Sequence, residues 1–200
     1  MWQAHKKAGC GDVRKRLIIA ISGASGAIYG LRLLEVLKNC GAIETHLIIS
    51  ATAKGLLADE IDPQAGDRAR ELATRYYENN ELSAPVASGS FITDGMIIAP
   101  CSAKTLAAIA HGFGDNLINR AADVVLKERR RLVLLFRETP LHLTHIDNMA
   151  QVTKTGGIIL PPVPAFYHRP ATIDDIINQS VGKALDLFGI EHSLFSRWGD

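Results

Sequence analysis

The sequence predicts an α/β domain, an open and mostly parallel sheet flanked by helices. Short apolar runs of strand length alternate with longer segments of helical period. No linker and no internal repeat interrupts that alternation. The length of 200 residues, with 47% hydrophobic side chains, suits one domain with a full core.

The first apolar run, Leu17 to Ile21, breaks into Ser22-Gly-Ala-Ser-Gly-Ala27. It resumes with Ile28, Leu31, Leu34 and Val36-Leu37 on one helical face and stops at Asn39-Cys40-Gly41. This reads as strand, tight loop and helix. Glu44 to Ser50 reads as a second strand, buried over His46-Leu-Ile-Ile, and 51–60 as a helix. The polar stretch 61–84, with turn signals at Asp62-Pro63 and Asn79-Asn80, reads as a surface excursion with a short helix over 68–77. A small-residue loop, Ala87 to Phe91, precedes a third strand over Met96 to Ala99, closed by Pro100. Helices then follow over 102–110 and 116–130, and a fourth strand over 132–136. A helix over 141–155 is stopped by Gly156-Gly157, and a fifth short strand over 158–160 by Pro161-Pro162. The last helix, over 172–187, carries Asp174 and Asp175 in its first turn, where the helix dipole favours them. The basic residues ahead of the first strand lack the apolar segment of a secretory signal. Residues 1–15 read as a flexible extension to a domain over 16–200.

A net charge of +1 recruits neither nucleic acid nor a membrane surface, and no apolar run approaches the roughly 20 residues of a membrane span. Cys10, Cys40 and Cys101 are far apart and form no CxxC, so neither a disulfide framework nor a metal site is expected, and the chain is expected in the cytoplasm. The seven histidines are scattered; only His142 and His145 share a helix face, with no carboxylate at matching spacing. P-loop and nucleophile-elbow patterns are absent.

Open α/β sheets bind ligands beyond the C-terminal ends of their strands. Those ends here carry Ser22-Gly-Ala-Ser-Gly26, Ser50, Pro100-Cys-Ser-Ala-Lys-Thr105, Arg137-Glu-Thr-Pro140 and Pro161-Pro-Val-Pro-Ala-Phe-Tyr167. Small, hydroxylic and charged groups thus gather at one edge, which marks a ligand site. In the first loop, glycines permit close approach and the following helix start offers N–H groups, which suits a phosphate or the polar edge of a flavin; plain strand–helix packing uses the same residues. Ser102 and Thr105 can cap a helix or bond a ligand. Arg120, Asp123 and Lys127 share one helix face, either solvated or presented to an anion. Arg137-Glu138 directly after a buried strand is expensive unless paired or used. Arg137 can fork onto a phosphate and Glu138 can act as a general acid or base, or the two can form a corner salt bridge. Tyr167 stands on a rigid proline-rich loop, as ligand contact or as core packing with a wet tip. Lys183 snorkels by default, and Trp198 reads as a tail residue or a lid.

Ser22-Gly-Ala-Ser-Gly-Ala27, Pro100-Cys-Ser-Ala-Lys-Thr105, Asp115-Asn-Leu-Ile-Asn-Arg-Ala-Ala-Asp123, Leu126-Lys-Glu-Arg-Arg130, Arg137-Glu-Thr-Pro-Leu141 and Pro161-Pro-Val-Pro-Ala-Phe-Tyr167 together resemble the UbiX/Pad-type flavin prenyltransferases, in the family's order over about Arg16 to Trp198. The resemblance implies a Rossmann or flavodoxin-like FMN domain that joins dimethylallyl phosphate to reduced FMN at N5 and C6, without a metal. The product, prenylated FMN, serves a UbiD-type decarboxylase in ubiquinone synthesis or aromatic acid breakdown. Gly23, Ala24, Ser25, Ser50, Ser102, Thr105 and Arg137 are implied to hold FMN, with Ser25 near N5. Arg120, Lys127, Tyr167 and Lys183 are implied to bind the allylic phosphate, Trp198 to wall the prenyl pocket, and Glu138 to relay protons. Ser25, Lys127 and Glu138 are implied to form the catalytic set. The family often has arginine at the position of Lys183, so here charge is kept and a bidentate fork is lost. A large homo-oligomer, often a dodecamer with sites between subunits, is implied as well. Two other activities suit the same fold, an FMN-dependent cysteine-type decarboxylase and a non-enzymatic FMN carrier.

Overall fold

A computed structural model describes residues 15–199 of the chain. The extension expected over residues 1–15 lies outside the described residues except for Lys15, which already opens the first strand.

Six parallel strands form one sheet: β1 (Lys15–Ile21), β2 (Ile43–Ile49), β3 (Arg75–Glu78), β4 (Gly95–Cys101), β5 (Arg131–Phe136) and β6 (Ile158–Ile159). Their spatial order is β3-β2-β1-β4-β5-β6. That is the doubly wound order of dinucleotide-binding folds; without the short edge strand β3 it becomes the flavodoxin order. The helices are α1 (Ala27–Cys40), α2 (Ala51–Glu60), α3 (Ala65–Leu72), α4 (Ala103–Ala110), α5 (Leu117–Lys127), α6 (Leu143–Lys154) and α7 (Ile173–Asp186).

Alternation along each strand divides the core into two layers. Leu17, Ile19 and Ile21 of β1, with Leu47 and Ile49 of β2, pack under α1, α2, α3 and α7. Ile18 and Ala20, with Ile48, Met96 and Ile98, pack under α4, α5 and α6. Burial on both faces explains why β1, β2, β4 and β5 read as continuous apolar runs.

Two expectations change. The helix expected over 68–77 is α3, which starts earlier and ends at Leu72, and the segment then turns into β3. Arg75-Tyr-Tyr-Glu78 is an edge strand with exposed ends and a half-buried middle, so it carries no apolar run to betray it. The third strand does not close at Pro100 either: β4 runs on to Cys101, with a register shift against β5 between Ile98 and Cys101.

The direction in which successive strands are added to the sheet reverses between β1 and β4, which remain parallel. The crevice beyond their C-terminal ends is where such folds bind ligands. Ser22, only 1% exposed, ties the two ends together: its Oγ donates to the Pro100 carbonyl (2.9 Å) and accepts from the Ser102 N–H (2.8 Å).

Candidate active site

A cleft of about 360 Å³ opens at this switch point, within the usual size range of small-molecule sites. Every strand end from β1 to β5 contributes to it. After β1 come Gly23, Ala24 and Ser25; after β2, Ser50 and Thr52; after β3, Asn79. After β4 come Ser102, Ala103, Lys104 and Thr105, and after β5, Arg137 and Glu138. Asn116, Ile118 and Asn119 from the start of α5 close one side. All seven residues expected to hold a flavin therefore face one space, together with Glu138.

Two helix starts shape the cleft. Ser50 caps α2 by accepting from Ala53 N (3.1 Å), and Ser102 caps α4 by accepting from Thr105 N (3.3 Å). Each cap takes one first-turn donor and leaves others for a ligand. The start of α1 behaves differently. Its N-cap, Gly26, sits in the left-handed region at φ 97°, and the Glu60 carboxylate accepts from Gly26 N (2.9 Å) and Ala27 N (3.0 Å). Glu60 thus already takes two N–H groups at the α1 terminus, which leaves the starts of α2 and α4 as the helix ends with first-turn donors open to the cleft.

Arg137 and Glu138 do not form the corner salt bridge that the sequence allows. Among the described residues neither has an ion-pair partner; Glu138 Oε1 accepts only from Thr139 N, at 3.0 Å. An unpaired guanidinium and carboxylate in a polar cleft is chemistry held in reserve. The positive charge of Arg137 also reaches Tyr29 in the first turn of α1, where it opposes the upward push of burial on the phenol. Cys101, fully buried, has its thiol pushed far above the ordinary range by desolvation, so it is an inert packer beside the site.

The donor set fits FMN: hydroxyls and amides for a ring edge, two helix starts and a free arginine for a phosphate. The residues expected to take the allylic phosphate lie elsewhere in the single chain. Arg120 and Lys127 line the outer face of α5, with Arg120 bonded to Asp123 (3.0 Å) and to the Ala87 carbonyl (3.2 Å), and Lys127 paired with Glu128. Lys183 lies 3.9 Å from Asp186 on α7. Tyr167 and Trp198 meet edge-on, ring centroids 5.7 Å apart, and Trp198 is 83% exposed. None of these five lines the cleft.

Thr52, Asn79, Lys104 and Asn119 are cleft residues outside the set expected from the sequence. Lys104 lies within a quoted motif and Thr52 stands two residues past Ser50, so adjacency to a strand end was the available signal. Asn79 follows the unrecognised β3. It takes the first N–H groups of α5, accepting from Leu117 N on its carbonyl (2.7 Å) and from Ile118 N on Oδ1 (3.0 Å).

A doubly wound sheet with a polar cleft at its switch point defines a nucleotide- or flavin-binding α/β protein. A family model described as Flavoprotein matches residues 7–184. "Flavin prenyltransferase UbiX" of Thauera aromatica is 56% identical over 183 residues, covering 92% of this chain and 93% of that protein. A crystal structure of AnUbiX in complex with FMN and dimethylallyl pyrophosphate superposes with a TM-score of 0.90 at 48% identity, over 94% of this chain and 99% of that one. A dodecameric FMN-dependent UbiX-like decarboxylase from Escherichia coli O157:H7 superposes at 0.89 with 44% identity, over 92% and 100%. The chain belongs to the flavoprotein family, among its UbiX-type flavin prenyltransferases.

Proposed function

We propose that this protein transfers a dimethylallyl group from an allylic phosphate to reduced FMN, with new bonds at N5 and C6, and that a UbiD-type decarboxylase receives the prenylated flavin. The observation that carries the reading is the convergence of Gly23, Ala24, Ser25, Ser50, Ser102, Thr105 and Arg137 on one cleft beside an unpaired Glu138. Relatives above half identity named as flavin prenyltransferases support it over a cysteine-type decarboxylase or a carrier.

Reduced FMN supplies the two nucleophilic positions. The helix starts at Ser50 and Ser102, with Arg137, would hold its phosphate and ring, with Ser25 on the side of N5. Ionising the allylic C–O bond leaves a prenyl cation and a phosphate that departs with the bonding pair. Arg120, Lys127, Lys183 and the Tyr167 hydroxyl neutralise that phosphate. Trp198 offers an aromatic face to the cation and helps exclude water. Glu138 would move the N5 proton to the departing phosphate; the C6 bond would then form at the expense of the prenyl double bond, one carbon of which takes up a proton while C6 gives one up.

The reaction is tested anaerobically with reduced FMN and either dimethylallyl phosphate or dimethylallyl pyrophosphate. The expected result is a flavin heavier by one prenyl unit, formed from the monophosphate. A flavin of unchanged mass with both donors removes the activity, and conversion only with the pyrophosphate corrects the substrate.

A further inference from the structure

The cations assigned to the two ligands differ in their partners. Arg137, in the flavin cleft, has no acidic partner among the described residues. The three cations assigned to the allylic phosphate each have one: Arg120 with Asp123, Lys183 with Asp186, and Lys127 with Glu128. The Lys127–Glu128 pair differs from the other two in joining neighbours in the chain at the end of α5. Glu128 is the C-cap of α5, at the negative end of the helix dipole, where a carboxylate is disfavoured. The contact it makes there is with the Lys127 ammonium.

The pair is pressed against a small-residue loop. A methyl group built on Gly89 would lie 2.8 Å from Lys127 Nζ and collide with the Glu128 carboxylate, so both heads rest on backbone there. That backbone is itself held: Arg130 donates to the Gly89 carbonyl (2.7 Å) and the Phe91 carbonyl (2.8 Å), and Arg120 to the Ala87 carbonyl. The result is a fixed position, bounded by Lys127 and the Ser88-Gly89-Ser90 loop, in which an anionic head already sits.

We propose that Glu128 is a positioning residue that occupies the substrate-phosphate position on Lys127 and must be displaced by the incoming phosphate. The inference rests on the reading of Lys127 as a phosphate ligand. Two consequences follow from charge alone. A monoester phosphate is close to a dianion at neutral pH and outcompetes one carboxylate for the ammonium, whereas singly charged anions do not. Before substrate arrives, Glu128 keeps Lys127 oriented and uncommitted to stray anions. The cost is a weaker apparent affinity for every phosphate.

The test uses the full chain loaded with FMN, comparing wild type, Glu128→Gln and Lys127→Gln. Because partly exposed ion pairs hold their members weakly, Glu128→Gln is expected to lower KM for dimethylallyl phosphate by about two- to fivefold, with a much smaller change in kcat. Calorimetric titration with inorganic phosphate is expected to show the same tightening without any turnover. Lys127→Gln is expected to weaken both. If Lys127→Gln weakens both but Glu128→Gln leaves them unchanged or weaker, the competition is overturned and Lys127 stands as a ligand. If Lys127→Gln changes neither, Lys127 is not a phosphate ligand and both conclusions fall together.

Discussion

Ser22 shows how one hydroxyl sets the width of the site. It bridges the ends of β1 and β4 inside the core, and its removal leaves the Pro100 carbonyl and the Ser102 N–H without that partner. Ser22→Ala is expected to cost about 1–3 kcal/mol of stability, the range for stranding buried polar groups, measured by denaturant unfolding. FMN affinity is expected to fall with it, since the two walls lose their common tie. Glu138 makes the opposite prediction. It is exposed and bears no structural bond beyond its contact with Thr139, so Glu138→Gln is expected to fold and bind FMN as wild type does. Its turnover is expected to fall about 100-fold or more, the usual contribution of a positioned acid–base group. Normal turnover would take Glu138 out of the reaction. These residues were legible because position beyond an apolar run is itself a signal: Ser25, Ser50, Ser102, Thr105 and Arg137 each follow one. Glu60 was not legible. It stands 33 residues from the loop whose amides it accepts from, and nothing local marks that pairing.

At the scale of elements, α1 illustrates packing that overrides propensity. Gly30 lies inside the helix, where alanine would ordinarily gain about 1 kcal/mol. A methyl group there would collide with the Ala99 carbonyl and lie 2.7 Å from Ile21 Cγ1, against backbone and a fully buried side chain that have nowhere to move. Gly30→Ala is therefore expected to destabilise by about 1–3 kcal/mol, the range for overpacked cores; a gain in melting temperature would refute the close approach of α1 to β4. The end of α7 is held differently. Asp186 accepts from Arg197 at 2.7 and 3.1 Å and pairs with His192 at 3.1 Å, which ties down the segment bearing Trp198. The Arg197 bond, against partial burial, holds the Asp186 carboxyl below its ordinary value. A depressed folded-state value means the unfolded chain takes up the proton first on acidification. The contribution is then complete above the ordinary carboxylate range, near pH 4, and is lost as pH falls through the lower folded value. Asp186→Asn is expected to cost about 1 kcal/mol at neutral pH, and the gap from wild type to close in acid. A gap independent of pH would assign the loss to packing. Strong elements such as α1, β1 and β5 were readable from period and apolarity. The stretch from α3 to β3 was not, because an edge strand half in water needs no apolar run.

The whole molecule poses the question that neither residue nor element answers. The seven residues proposed to hold the flavin gather within one chain, and they were legible for that reason: strand order brings them together, and strand order follows from the alternation of the sequence. The phosphate half is not complete. Arg120 and Lys127 lie on the outer face of α5, Lys183 on α7, and Tyr167 with Trp198 on the segments around it, each engaged locally and none in the cleft. A sequence carries no record of which surface meets which copy, so the residues alone left Arg120, Lys127 and Tyr167 open between a ligand and a bland role, and only resemblance assigned them to one phosphate. A homo-oligomer that sets the α5 face of one copy beside the Tyr167 and Lys183 surface of another would complete it, as in a family with a dodecameric member. Mixing then becomes a measurement. Lys127→Gln and Lys183→Gln proteins, each poorly active alone, are co-refolded in equal amounts. If each site draws its two halves from different copies, random assembly makes a site intact when both halves come from unmutated surfaces, and about a quarter of wild-type activity is recovered. If both halves come from one copy, every site carries one lesion, and the mixture is no more active than the mean of its components.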